Sequence, residues 1–208
     1  MTVEHKEVPF DETSWDEWYR SAPVIWSGKP NAQLVTEAGG LTPGTALDAG
    51  CGEGGDAVWL AQNGWRVVAA DFSATALERG AVQAEELGVA DRVRWRAVDL
   101  AEWVPEEKYD LVTSHFLHLA SVQREVIFGR LAEAVAPGGT LLIVGHHPSD
   151  VEGGHRLDVP DLFFLAEDVA GTLDGMWESV KTEARERKAV IEGEEVVIRD
   201  TVLVARRR

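Results

Sequence analysis

The run Ala46-Leu47-Asp48-Ala49-Gly50-Cys51-Gly52-Glu53-Gly54-Gly55 carries the densest chemical signal in the chain. An apolar stretch feeds a cluster of glycines, and a helical pattern follows. Glycines let the backbone approach a ligand closely and take positive φ. The start of the next helix offers unpaired N–H groups and partial positive charge to an anion. Gly50, Gly52 and Gly55 satisfy G-x-G-x-x-G, the dinucleotide spacing. Asp48, Gly50, Gly52 and Gly54 also satisfy acidic-x-G-x-G-x-G, and the loop alone leaves both patterns open. Two more acids close apolar runs. Asp71 is placed to reach the ribose hydroxyls of an adenosine. Asp99, in Ala97-Val98-Asp99-Leu100, is placed to accept from an adenine amino group, with Leu100 beside the ring.

Two histidine-bearing segments follow later apolar runs: Ser114-His115-Phe116-Leu117-His118-Leu119 and Gly145-His146-His147-Pro148. A neutral imidazole with a pKa of about 6.5 is a good general base. His115, His118 and His146 are therefore the candidate catalytic bases. His118, His146 and His147, with Trp18 and Tyr19, are the candidate substrate contacts. Imidazoles also bind metals, and His155 adds a further one. No H-x-x-x-H pair or matched carboxylate spacing supports a metal site, so none is expected. Cys51 has no arranged base and reads as a small loop residue rather than a nucleophile.

These residues must be held by alternating elements. Strand patterns cover 45–50, 66–71, 93–98, 109–114 and 140–145, and helical patterns cover 56–62, 73–87 and 122–135, the last closed by Pro137-Gly138-Gly139. Such alternation implies parallel βαβ units with helices on both faces. Residues 160–171 read as a further helix. Residues 177–188 and 195–206, split by Glu192-Gly193-Glu194, read as an antiparallel hairpin closing one sheet edge. Residues 1–40 differ: they hold short helices over 11–20 and 31–38 and the aromatics Trp15, Trp18, Tyr19 and Trp26. They are expected to form a helical cap or lid over a single domain of residues 41–208.

Composition narrows the partners. The chain has 208 residues, 36 Asp and Glu against 20 Lys and Arg, and a net charge of −16. Nucleic-acid binding needs a basic face, so neither nucleic acid nor an anionic membrane is an expected partner. With one cysteine there is no intramolecular disulfide or Cys-based zinc site. The acidic first residues do not resemble a targeting peptide, and no apolar run reaches the roughly 18 residues of a membrane helix. A cytoplasmic protein, monomeric or homodimeric, is expected.

DAGCGEG at 48–54, Asp71, Ala97–Leu100, Tyr109–Leu119 and Leu131–Gly145 together resemble the class I S-adenosylmethionine-dependent methyltransferases. The acid after the third strand and the reversed last strand belong to that pattern. A dehydrogenase's second mononucleotide half and its Tyr-x-x-x-Lys pair are missing. Ile25–Asn31 (IWSGKPN) is similar to small-molecule methyltransferases near the thiopurine and tellurite-resistance groups. The resemblance implies a Rossmann-like, doubly wound α/β fold: a mostly parallel seven-stranded sheet with an antiparallel C-terminal strand. It implies S-adenosylmethionine as cofactor and S-adenosylhomocysteine as product. Its cofactor contacts map to Asp48, Gly50, Cys51, Gly52, Gly54, Asp71, Phe72, Asp99, Leu100, Ser114, His115 and Trp26, with Glu53 a further acid at the loop. The acceptor is expected to be a small molecule offering sulfur, a heavier chalcogen or a hydroxyl. A cofactor-binding protein without activity and a nicotinamide oxidoreductase are the alternatives.

Overall fold

The computed structural model describes residues 12–23, 25–152, 160–191 and 193–208. In chain order the elements are α1 (Glu12–Arg20), α2 (Ala32–Ala38), β1 (Thr45–Ala49), α3 (Gly55–Gln62), β2 (Arg66–Asp71), α4 (Ala74–Glu86), β3 (Val93–Ala97), β4 (Tyr109–His115), α5 (Ser121–Glu133), β5 (Val135–His146), α6 (Ser149–Glu152), α7 (Ala166–Ala170), β6 (Trp177–Ile191) and β7 (Glu194–Arg207). One seven-stranded sheet has the order β3-β2-β1-β4-β5-β7-β6. Strands β1 to β5 pair in parallel, whereas β7 runs antiparallel to both β5 and β6. The expected doubly wound sheet with a reversed C-terminal strand is therefore the one observed.

Period-two alternation along the central strands feeds two cores. Leu47, Ala49, Val112 and Ile143 face one side, where Ile127, Phe128 and Leu131 of α5 cover them. Ala46, Leu111, Leu142 and Val144 face the other, under Leu34 of α2 and Val58 and Leu60 of α3. Chain winding reverses between β1 and β4, and a crevice opens beyond their carboxyl ends at such a switch point.

Two boundaries differ from expectation. Residues 160–171 are not one helix: a 3-10 turn at Pro160–Leu162 is followed by a non-helical step and then α7. Packing decides this. Phe164 sits against Gly145, where an added Cβ would lie 2.5 Å from its ring, and Thr201 Oγ1 donates to the Phe164 carbonyl. Helix α5 ends at Glu133 because Val135 already pairs with Tyr109, and Pro137-Gly138-Gly139 occupy an irregularity within β5.

Trp95 of β3 sets a packing limit on two glycines. A Cβ on Gly54 would lie 2.3 Å from its ring, and one on Gly80 of α4 would lie 2.4 Å away. Overpacking a core typically costs about 1–3 kcal/mol. We expect Gly80→Ala to lower the melting temperature, and the loss to vanish when Trp95→Leu removes the ring. Equal losses in both backgrounds, read by thermal denaturation, would contradict this packing argument.

Candidate functional site

β1 ends and the chain turns through Gly50, Gly52 and Gly54 at φ 74°, 51° and 77°. Each lies in the left-handed region that favours glycine. The Gly50 and Cys51 amides both donate to the Ala70 carbonyl, at 2.8 and 3.1 Å, which ties the turn to the end of β2. There Asp71 finishes the job. Its Oδ2 accepts from Gly52 N and its Oδ1 from Ser73 N, both at 2.9 Å. Burial pushes its carboxyl above the usual range, while these backbone donors pull it down.

Asp48 lies beneath the turn, 2% exposed, with Oδ2 unpartnered among the described residues. Its carboxyl is held well above the usual range, first by burial and then by the charges of Asp56 and Asp71; an Ala57 backbone hydrogen bond opposes this. The Cys51 thiol is likewise pushed up, by burial first and then by Asp71 and Asp48, so it stays protonated. That environment is the reverse of one that activates a thiolate nucleophile.

A cavity of about 960 Å³ opens over this turn. Asp48, Gly50, Cys51, Gly52, Gly54, Asp71, Phe72, Asp99, Leu100, His115 and Trp26 line it, as do Trp18, Tyr19, His118 and His146. Asp99 also holds its own turn, accepting from Ala101 N at 2.8 Å. Ser114 is 1% exposed and does not line the cavity, and its Oγ is unpartnered among the described residues. His147 does not line the cavity; its Nδ1 faces Ser149 Oγ at 2.9 Å and accepts from Ser149 N, capping the start of α6. Phe163 and Phe164 are core at 8% and 4% exposure, and Met176 lies on the surface. His155 lies outside the described residues.

The N-terminal segment is fastened to this site by named bonds. Asp16 of α1 accepts from Ser73 Oγ at 2.7 Å. Glu53, 8% exposed, accepts from the Ile25 and Trp26 amides and from Arg79 Nη1, while Arg79 Nη2 donates to the Tyr19 and Ala22 carbonyls. Glu53 thus anchors the chain at Ile25 and Trp26, and through Arg79 at Tyr19 and Ala22, instead of presenting a free carboxylate. Trp26 Nε1 donates to the Tyr19 hydroxyl at 3.2 Å. Burial, then the charge of Asp71, pushes the Tyr19 phenol up, so it remains protonated.

The rings form one wall. Phe116 stacks on His146 with centroids 4.5 Å apart, His146 and His118 are 5.5 Å apart, and Trp15 is 5.6 Å from His118. Phe116 is the only non-glycine residue with positive φ, 52°, among the described residues. Such backbone strain clusters at binding and catalytic sites. His115 is engaged at both nitrogens: Nδ1 with Asp56 Oδ2 at 2.6 Å and Nε2 with Thr113 Oγ1 at 3.0 Å.

Sequence reasoning missed Asp56, Arg187 and Asp200, which also line the cavity. An acid in the first turn of a helix has an ordinary explanation in the helix dipole, which hid Asp56. Arg187 Nε donates to the nearly fully buried Asp200, at 2.8 Å to Oδ1, and its guanidinium lies over Phe116. That pairing depends on the β6–β7 register, which residue types alone do not specify.

Residues 46–139 match the family described as a methyltransferase domain. The chain is 30% identical over 150 residues to probable thiol methyltransferase 2 of Arabidopsis thaliana, covering 70% of this chain and 66% of that one. It is 29% identical over 149 residues to the 2-heptyl-1-hydroxyquinolin-4(1H)-one methyltransferase of Mycobacteroides abscessus, covering 66% of this chain and 64% of that one. The matches thus span just under two thirds of these relatives' own length. In fold the chain is similar to magnesium protoporphyrin IX methyltransferase of Synechocystis PCC 6803 with bound SAH: 20% identity, TM-score 0.62, covering 100% of this chain and 90% of that one.

Proposed function

We propose, from the premise that this chain belongs to the class I S-adenosylmethionine-dependent methyltransferases, that it transfers a methyl group from S-adenosylmethionine to a small-molecule acceptor and releases S-adenosylhomocysteine. The observation that carries this reading is the buried Asp48 carboxylate with its unpartnered Oδ2. An ammonium group satisfies such an atom. A dinucleotide's pyrophosphate would instead meet the carboxylates of Asp48, Asp56 and Asp71 around one turn, and like charges repel. The cavity, at about 960 Å³, lies at the upper end of the usual range for small-molecule sites.

In this reading Asp48 faces the amino-acid end of the cofactor and the Gly50–Gly52 backbone lies along it. Asp71 binds the ribose, Asp99 the adenine amino group, and Phe72 and Leu100 flank the ring. The cofactor supplies a sulfonium whose methyl group is electrophilic. The protein aligns the acceptor and excludes water, and alignment of this kind can supply about 7–11 kcal/mol of barrier reduction. Trp15, Trp18, Phe116, His118 and His146 give the acceptor side an aromatic wall suited to a planar molecule. A thiol or chalcogen acceptor ionised near neutral pH needs no protein base. For a hydroxyl acceptor, His118 and His146, whose rings line the cavity beside Phe116 and Trp15, are the proposed proton acceptors. Residues 12–38 serve as the cap over the domain that follows.

Thermal denaturation tests the cofactor. At a hundredfold excess over Kd a ligand adds about 2.7 kcal/mol, or roughly 5–11 °C for a chain of this size. S-adenosylmethionine and S-adenosylhomocysteine should produce that rise and NAD and NADP should not; a rise with the nicotinamides alone would sink the proposal. Asp71→Ala and Asp99→Ala should each weaken S-adenosylhomocysteine binding about tenfold or more, the worth of one hydrogen bond to a charged group. Unchanged affinity in both removes the site assignment. A radiolabelled methyl screen across thiols, selenite, tellurite, phenols and amines identifies the acceptor.

A further inference from the structure

The geometry points to a divalent transition-metal site at Asp48, Asp56 and His115, in the floor of the cavity, that takes an ion such as Zn²⁺ or Co²⁺ in competition with the cofactor. One donor atom from each of these residues lies within 4.8 Å of the others. The three come from different elements: Asp48 from β1, Asp56 from the first turn of α3 and His115 from the end of β4. Asp48 is 2% exposed and its Oδ2 is unpartnered among the described residues, so that oxygen can take an ion while the Ala57 backbone hydrogen bond to the carboxylate is kept. The side chains of His115 and Asp56 are 5% and 15% exposed, so the cluster is not a solvated acidic patch.

The outer contacts of a metal site are already in place. Metal-binding histidines hold their second ring nitrogen in a hydrogen bond, and ligating carboxylates are held in turn. His115 Nε2 lies 3.0 Å from the buried Thr113 Oγ1, which fixes the ring and leaves Nδ1 for the ion. Asp56 Oδ1 accepts from Asn31 N at 2.5 Å, which leaves Oδ2 for the ion. Nδ1 and Oδ2 now face each other at 2.6 Å, within hydrogen-bond distance, and a metal ion takes the place of the hydrogen between them.

Two carboxylates, a neutral imidazole and a doubly charged ion make a neutral set, which suits a buried position. Mixed oxygen and nitrogen donors favour zinc-like ions over calcium or magnesium. All three residues line the cavity, which offers room for further ligands. The chain's net charge of −16 raises the local concentration of cations. The sequence shows neither an H-x-x-x-H pair nor a matched carboxylate spacing, because the three donors come from segments far apart in the chain. The competition with the cofactor rests on the role proposed above for Asp48; the metal site itself does not.

Chelator-treated, tag-free protein titrated with Co²⁺ tests this. The expected result is one ion per chain with a visible d–d spectrum of an oxygen- and nitrogen-ligated site. Asp56→Asn should weaken binding by about a hundredfold, and Thr113→Val by about tenfold through the histidine it orients. S-adenosylhomocysteine should displace the ion and bleach the spectrum. No bound ion in the wild-type protein, or binding unchanged by Asp56→Asn, overturns the proposal. If Co²⁺ fails to bind while S-adenosylhomocysteine still stabilises the chelated protein, the metal site is wrong and the proposed function stands. If Co²⁺ binds as described but S-adenosylhomocysteine neither binds nor displaces it, the metal site stands and the cofactor reading fails.

Discussion

Asp48→Asn should raise the melting temperature of the ligand-free protein by about 4–8 °C, since it removes a buried ionisable group repelled by Asp56 and Asp71, at a gain of about 2 kcal/mol, and each kcal/mol moves a chain of this size by about 2–4 °C. The same substitution should abolish stabilisation by S-adenosylmethionine. Both effects have one cause. The carboxylate is 2% exposed, one oxygen is unpartnered, and Asp56 and Asp71 add repulsion. The free protein therefore buries a carboxyl whose ionisation the fold disfavours, and a cationic ligand relieves it. Stability given up at a binding site in this way is a common trade.

The pH dependence has a definite sign. Burial, followed by the charges of Asp56 and Asp71, raises the folded-state pKa of Asp48. Protonation of Asp48 is thus easier in the folded chain than in the unfolded one. Its contribution is fully present below the unfolded carboxylate pKa and is lost as pH rises through the elevated folded value. Asp71, raised chiefly by burial, acts in the same direction. Wild-type stability minus that of Asp48→Asn should therefore fall as pH rises from the ordinary carboxylate range toward neutrality. Denaturant unfolding of both proteins at several pH values measures it. A difference that is flat with pH, or a less stable variant at neutral pH, would show that Asp48 is satisfied by a partner.

Arg79→Met should destabilise the protein by about 3 kcal/mol, the low end for breaking a buried pair, and so lower the melting temperature by about 6–12 °C. Arg79 Nη1 meets Glu53 at 2.6 Å, and Glu53 is buried while Arg79 is one quarter exposed. Methionine keeps the aliphatic stem but leaves the Glu53 charge uncompensated. It also releases the Tyr19 and Ala22 carbonyls, which Arg79 holds from the other nitrogen. The segment that brings Tyr19 and Trp26 to the cavity loses its anchor. Trypsin should then cut faster after Arg20, and S-adenosylhomocysteine should bind more weakly. Glu53→Gln with Arg79→Met removes the stranded charge and should recover part of the lost stability. An unchanged melting temperature and cleavage rate in Arg79→Met would show that this segment is held by its aromatic contacts alone.

Local patterns carried most of the architecture. Apolar runs bounded by Gly and Asp marked β1 and β2, and Ser73 marked the start of α4, where its hydroxyl indeed accepts from Ala76 N. The acids at positions 48, 71 and 99 were legible because each ends or follows a strand, and parallel strands bring their carboxyl ends to one rim. All three line the cavity. The histidines were a mixed case. Their spacing could not tell that His115 would be committed at both nitrogens, that His147 would cap a helix, or that His118 and His146 would share a ring wall.

What the sequence determined by itself is the alternation of elements and the glycine turn with its acids, because these depend on short-range rules of φ, period and capping. Only the tertiary structure decided that Gly54 and Gly80 make room for Trp95, that Glu53 pairs with Arg79 beneath the segment ahead of α2, and that Asp56 meets His115. Those outcomes pair residues far apart in the chain, whose meeting depends on sheet register, helix rotation and what each neighbour excludes. A side chain's type states which bonds it can make; the packed fold chooses which of them it does make.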